Sequence, residues 1–196
     1  GLGIQVGVVV NNVDLEKMHR VLVEFPVDSH DGKTQSWWCR IITPMAGPDR
    51  GLVFIPMLGT EVVVAFSSRS MNPYVLGCVY NNKKDYPDNY KNDDEKNNLR
   101  LLWSRNDHLI MFDDTEGAEK VALGAQASGA EDETSAPIYQ TLSSAEKTIT
   151  EYCDGDTTWE ATNTISIKCT DFELVASNSV TSESGLNTAI KAGANQ

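Results

Sequence analysis

The sequence predicts an all-β protein, with a small closed barrel followed by a β-hairpin with its linker and then by the start of an intertwined trimeric β-helix. Three observations lead there. The first ninety residues are short runs rich in Val, Ile, Phe, Tyr and Trp, parted by turn-forming residues. No convincing helical pattern interrupts them. The tail repeats a small unit every eight residues. The spans are 1–82 for the barrel, 83–98 for a polar linker, 99–137 for the hairpin and its connecting segment, and 138–196 for the β-helix.

The barrel strands are expected at Ile4–Val10, Arg20–Pro26, Trp37–Thr43, Gly51–Pro56, Thr60–Phe66 and Tyr74–Asn81. Asn11-Asn12, His30-Asp31-Gly32, Ala46-Gly47-Pro48 and Met71-Asn72-Pro73 punctuate them. Five or six short strands at such even spacing favour closure, because a closed barrel leaves no unpaired edge. From Lys83 to Asn98 the chain is polar and nearly free of aliphatic residues, so it has too little apolar surface to build a core. A hairpin is expected over His108–Leu123, turning at Asp113-Asp114-Thr115-Glu116-Gly117, and a second polar stretch, Gly124–Pro137, separates it from the tail.

Charge narrows the partners. The net charge is −12, and residues 91–196 carry nineteen Asp and Glu against eight Lys and Arg, whereas residues 1–90 are nearly balanced at nine against eight. Nucleic-acid binding depends on clustered cations that neutralise phosphates, so the second half would repel DNA or RNA. No apolar run is long enough to span a bilayer as a helix. Gly1-Leu2-Gly3-Ile4 lack an initiator Met and a basic leader, and read as the cut edge of a longer chain rather than a signal peptide. Cys39, Cys78, Cys153 and Cys169 are far apart and share no metal-ligand spacing with His, so the expectation is four buried free thiols.

The tail carries the sharpest physics. From Phe172 to Ala192 the even positions are mostly apolar or small and the odd ones mostly polar, the alternation of a strand. Asn163, Asp171, Ser179 and Asn187 fall eight residues apart, and Gly185 and Gly193 repeat the step. An octad spans only roughly 20–26 Å when extended, too short to wrap around its own core. Solenoid turns need about 20 or more residues, which three parallel chains giving eight each would supply. The expected inward row is Phe172, Leu174, Val180, Leu186 and Ile190. The competing reading is an antiparallel meander of six-residue strands. Its two-residue turns would favour Asn-Gly or Asp-Gly, while the corners here are Thr170-Asp171, Asn178-Ser179 and Leu186-Asn187.

Five segments together resemble one family: GIQVGVVVNN (3–12), HRVLVEFP (19–26), WWCRIITPMAG (37–47), RGLVFIPMLGTEVVVAF (50–66) and NPYVLGCVYNNKKDYP (72–87). Their order and spacing are similar to those of the OB-fold domain of VgrG and phage baseplate spike proteins. Residues 98–123 resemble the stretch that joins that barrel to the spike, and the octads resemble the triple-stranded β-helix beyond it. The family often has Gly before the Arg of the second strand, where this chain has His19. The resemblance implies that Gly51–Pro56 and Thr60–Phe66 are adjoining barrel strands. It also implies a homotrimeric structural spike of a contractile injection system, either a type VI secretion system or a phage-tail-like particle. Such a spike punctures a target envelope and delivers effectors. Its implied partners are baseplate, hub and tube proteins, tip or effector proteins and, transiently, the target membrane. It is assembled in the bacterial cytoplasm and ejected on contraction.

Two other classes compete with this reading. OB-folds bind oligosaccharides and single-stranded nucleic acid, and Trp37, Trp38, Tyr74 and Tyr80 offer stacking surfaces, though in surroundings that are not basic. An enzyme would have to draw on His30-Asp31, Asp113-Asp114 or Glu131-Asp132-Glu133, all in polar, turn-like segments where solvated charge is ordinary. No nucleophile elbow, phosphate loop or Cys-His set accompanies them. The expectation is therefore no catalytic residue, no cofactor and no metal.

Overall fold

The structure is a computed structural model and describes residues 3–26, 34–67, 72–81, 94–127 and 133–185. The chain forms two compact units, Gly1–Tyr152 and Cys153–Gln196.

In the first unit, β1 (Ile4–Asn11), β2 (Arg20–Phe25), β3 (Gln35–Ile41), β6 (Glu61–Phe66) and β7 (Pro73–Cys78) close into a barrel in the order β1-β2-β3-β7-β6. The β3–β7 seam is parallel and the other seams are antiparallel. Alternation builds the interior, since every second residue of a strand faces the same side. Val21, Val23 and Phe25 of β2 and Val62, Val64 and Phe66 of β6 point inward, joined by Val9, Cys39 and Val75. Trp37 and Ile41 pack against this cluster, and the Phe66 ring meets Phe25 at 5.5 Å and Trp37 at 6.2 Å. Gly7 also faces inward, at a place where a Cβ would lie 2.5 Å from Val23 Cγ1.

One carboxylate organises the β1–β2 connection. Asp14 accepts the backbone N–H groups of Glu16, Met18 and Arg20 and two hydrogen bonds from the Arg20 guanidinium. The Arg20 side chain, aided by the three N–H donors, holds the Asp14 carboxyl well below the usual carboxylate range, against a smaller opposing effect of desolvation. His19 sits at φ 54°, in the left-handed region that glycine occupies at least cost.

The segment Gly51–Pro56 differs from expectation. Only Arg50–Gly51 is paired, as β5 with β4 (Ala46–Gly47), and it lies outside the barrel. Leu52, Val53, Phe54, Met57 and Leu58 are exposed. Their apolar composition suggests a strand, but Pro56 has no N–H to give a ladder. Tethers hold the segment instead: Leu52 N–H donates to the Met45 carbonyl, Thr43 Oγ1 to the Leu52 carbonyl, and Asn12 Nδ2 to the Pro56 carbonyl.

A second sheet runs in the order β12-β11-β10-β9-β8, formed by β8 (Leu99–Trp103), β9 (Leu109–Asp113), β10 (Lys120–Ala125), β11 (Ile138–Ser143) and β12 (Thr148–Cys153). It contains the expected hairpin as β9–β10. The sheet also reaches Cys153, into the span 138–196 that the sequence reading gives to the β-helix. One face is covered by its own chain: Leu99, Leu101, Trp103, Leu109, Met111 and Ala122 cluster there. Over it lies a single 3-10 turn, Glu133–Ser135, beside buried Ala127 and Ala136. The expected linker 83–98 is described only from Asp94, whose carboxylate accepts the N–H groups of Lys96 and Asn97.

Candidate functional site

The tail was the sequence's strongest functional signal. No strand or helix occurs between Asp154 and Gly185, and every residue there is exposed. Phe172 is 66% exposed, Leu174 63% and Val180 63%, while Leu186 and Ile190 lie outside the described residues. Val175, on the opposite parity, is exposed as well. The expected alternating row is therefore not a strand within the single chain. A strand exists through its ladder partner, and among the described residues the segment from Asp154 to Gly185 has none.

Among the described residues the acidic side chains offered for catalysis are held in turns and ion pairs. Asp113 accepts the Thr115 N–H within a turn, and Asp114 is ion-paired with Arg100. His30-Asp31 and Glu131-Asp132 lie outside the described residues. Glu133 is different. Its side chain is 1% exposed, and its two oxygens take the Lys120 ammonium at 2.9 and 3.0 Å while Thr141 Oγ1 donates to Oε1 at 3.1 Å. These bonds satisfy the carboxylate and pin the 3-10 turn to β10 and β11. The sequence reading treated this polar stretch as a separator and missed the pin. The small residues Ala127 and Ala136, which allow close approach to the sheet, were the available signal.

The aromatic residues offered as stacking surfaces are largely engaged. Trp37 packs on the barrel core, Trp38 lies under the Arg20 guanidinium at 5.4 Å, and Tyr74 lies under Arg40 at 5.9 Å. Arg20 is itself bound by Asp14 and Glu16. Tyr80 is exposed. The thiols also depart from expectation: all four are free, but only Cys39 is buried, Cys153 is intermediate, and Cys78 and Cys169 are exposed. Burial pushes the Cys39 thiol up to about 12, so it stays protonated. Among the described residues no group of three or more His, Cys, Asp or Glu side chains is placed to hold a metal ion, and no helix is long and apolar enough to cross a membrane.

Residues 5–80, which are the barrel, match the family profile of the Type VI secretion system/phage-baseplate injector OB domain. Three curated relatives match a longer stretch. Type VI secretion system spike protein VgrG1a of Pseudomonas aeruginosa is 30% identical over 115 residues, covering 55% of this chain and 18% of the relative. Type VI secretion system spike protein VgrG3 of Vibrio cholerae is 30% identical over 112 residues, covering 55% and 11%. Actin cross-linking toxin VgrG1 of Vibrio cholerae is also 30% identical over 112 residues, covering 55% and 10%. The matched segment thus spans less than a fifth of each relative. A closed all-β barrel, a match to the injector OB domain over that barrel and spike proteins among the relatives agree: residues 5–80 form an OB domain of the Type VI secretion system/phage-baseplate injector family, in a chain similar to VgrG spike proteins.

Proposed function

We propose that this chain is a structural part of a contractile injection apparatus: a homotrimeric spike segment that is driven through a target envelope and carries effectors with it. The barrel acts as a collar and the octads of the tail form an intertwined prism with Phe172, Leu174, Val180, Leu186 and Ile190 inside. Its partners are hub, baseplate and tube proteins, with tip or effector proteins beyond. It is assembled in the cytoplasm and ejected, and this segment performs no catalysis.

One observation carries the reading. The tail holds regularly spaced apolar residues, yet every described residue from Asp154 to Gly185 is exposed in the single chain. Burying each Phe, Leu or Val would contribute roughly 1.5–3 kcal/mol, a gain that packing against other chains would supply. Interchain ladders along the tail also suit an axial load, since no chain could be peeled away without breaking many hydrogen bonds.

Light scattering of the purified chain should give a mass near three chains. Leu174→Asp should abolish the assembly, because it would place three unpaired charges in one buried layer. A monomer at micromolar concentration would refute the proposal, and an unaffected assembly in the variant would show that Leu174 does not face inward.

A further inference from the structure

The second sheet has one face whose apolar side chains are exposed. Residues paired across an antiparallel ladder lie on the same side, and so do alternate residues of a strand. Register therefore aligns Arg100, Phe112, Val121 and Leu142 in one row and Leu102, Ile110, Leu123 and Gln140 in the next. Ile138 belongs to the same face by alternation along β11. The hydrogen bond from Gln140 Nε2 to Glu151 Oε1 places Glu151 there, and alternation along β12 then adds Ile149. Eight large apolar side chains on this face are between 36% and 71% exposed.

We infer that this face is the surface through which copies of this chain pack together, so that self-association begins at the sheet rather than only in the octads. This rests on the self-assembly proposed above. The first argument is area. Eight such side chains leave roughly 600–700 Å² of apolar surface bare, above the patch of about 300–600 Å² that is the largest on a typical monomer, and close to the ~800 Å² per partner of a stable specific interface.

The second argument is the chemistry of the occupant. The charged side chains of the face are few, Arg100 paired with Asp114 and Glu151 hydrogen-bonded by Gln140, and the rest of it is apolar. A chain of net charge −12 repels its own copies, and a face on which eight apolar side chains outnumber the charged ones is where like chains can meet. On the other face the turn at Glu133 packs over β10 and β11, with Ala127 and Ala136 against Gly124, and Leu109, Met111 and Ala122 are buried there. Finally, β12 leads directly along the sequence into the tail, whose described residues, 154–185, form no strand.

The test uses the full chain and sedimentation velocity, with far-UV circular dichroism to confirm that each variant remains folded. Phe112→Lys with Leu123→Lys, at exposed positions, should weaken association at least tenfold while the barrel stays intact. Phe112→Thr with Leu123→Thr provides a milder pair that keeps strand propensity if the lysines prevent folding. Both pairs associating like wild type, while Leu174→Asp dissociates, would overturn this inference and leave the spike proposal standing. Dissociation by the sheet pairs, with Leu174→Asp still assembled, would support it and count against the inward row of the tail.

Discussion

Replacing Gly7 by alanine tests whether the barrel is packed as described. Gly7 faces inward on β1, and an added Cβ would meet Val23 Cγ1 at 2.5 Å, the Glu24 carbonyl oxygen at 2.8 Å and Phe25 Cδ1 at 2.9 Å. The two side chains can give way at the cost of disturbed rotamers. The carbonyl cannot, because Glu24 is the ladder partner of Val8 and its retreat would open the β1–β2 pairing. Overpacking of this kind costs about 1–3 kcal/mol, which for a cooperative unit of roughly 150 residues lowers Tm by about 2–12 °C. Urea unfolding followed by tryptophan fluorescence would measure the loss. Val23→Ala removes the closest contact, so in the Gly7→Ala background it should cost about 0.5–1.5 kcal/mol less than in the wild type. The reasoning fails if Gly7→Ala is neutral within about 0.5 kcal/mol, or if the two changes are strictly additive.

Two further outcomes are expected. The lowered folded-state pKa of Asp14 means that its contribution to stability is present above the unfolded value of about 3.9 and fades as pH falls through the lower folded-state value. The stability gap between wild type and Asp14→Asn should therefore shrink on acidification from pH 6 to pH 2, and a gap independent of pH would contradict the assignment. At the Lys120–Glu133 pair the two ends differ in exposure, 24% against 1%. Lys120→Met strands a buried carboxylate and should cost about 3–5 kcal/mol, whereas Glu133→Gln leaves an ammonium that can turn to water and should cost about 1–3 kcal/mol. Denaturant titrations of both variants would show whether that order holds.

The barrel was legible because its strands obey a period of two with large apolar residues on the inside, most clearly in Val21-Val23-Phe25 and Val62-Val64-Phe66. Gly51–Pro56 was misread for the converse reason. Its residues have strand composition, but composition cannot show that they remain exposed and tethered outside a barrel already closed by β7. β11 and β12 were hidden as antiparallel strands because their polarity is inverted. Ile138, Leu142 and Ile149 face outward, while Thr141 lies on the covered side, bonded to Glu133. The tail was legible as a pattern and not as a structure, since a row without a ladder partner has no conformation of its own to report.

The barrel's seams also constrain how it can be made. β1 pairs with β6 and β3 with β7, so both closures join strands distant in sequence, and β7 bridges β3 to β6. No shorter piece of the chain can close the ring. During synthesis the strands before β7 must wait with unpaired edges until residues up to Cys78 have cleared the ribosome. Closure is then expected on the slower timescale of non-local β topologies, milliseconds to seconds, rather than that of local hairpins.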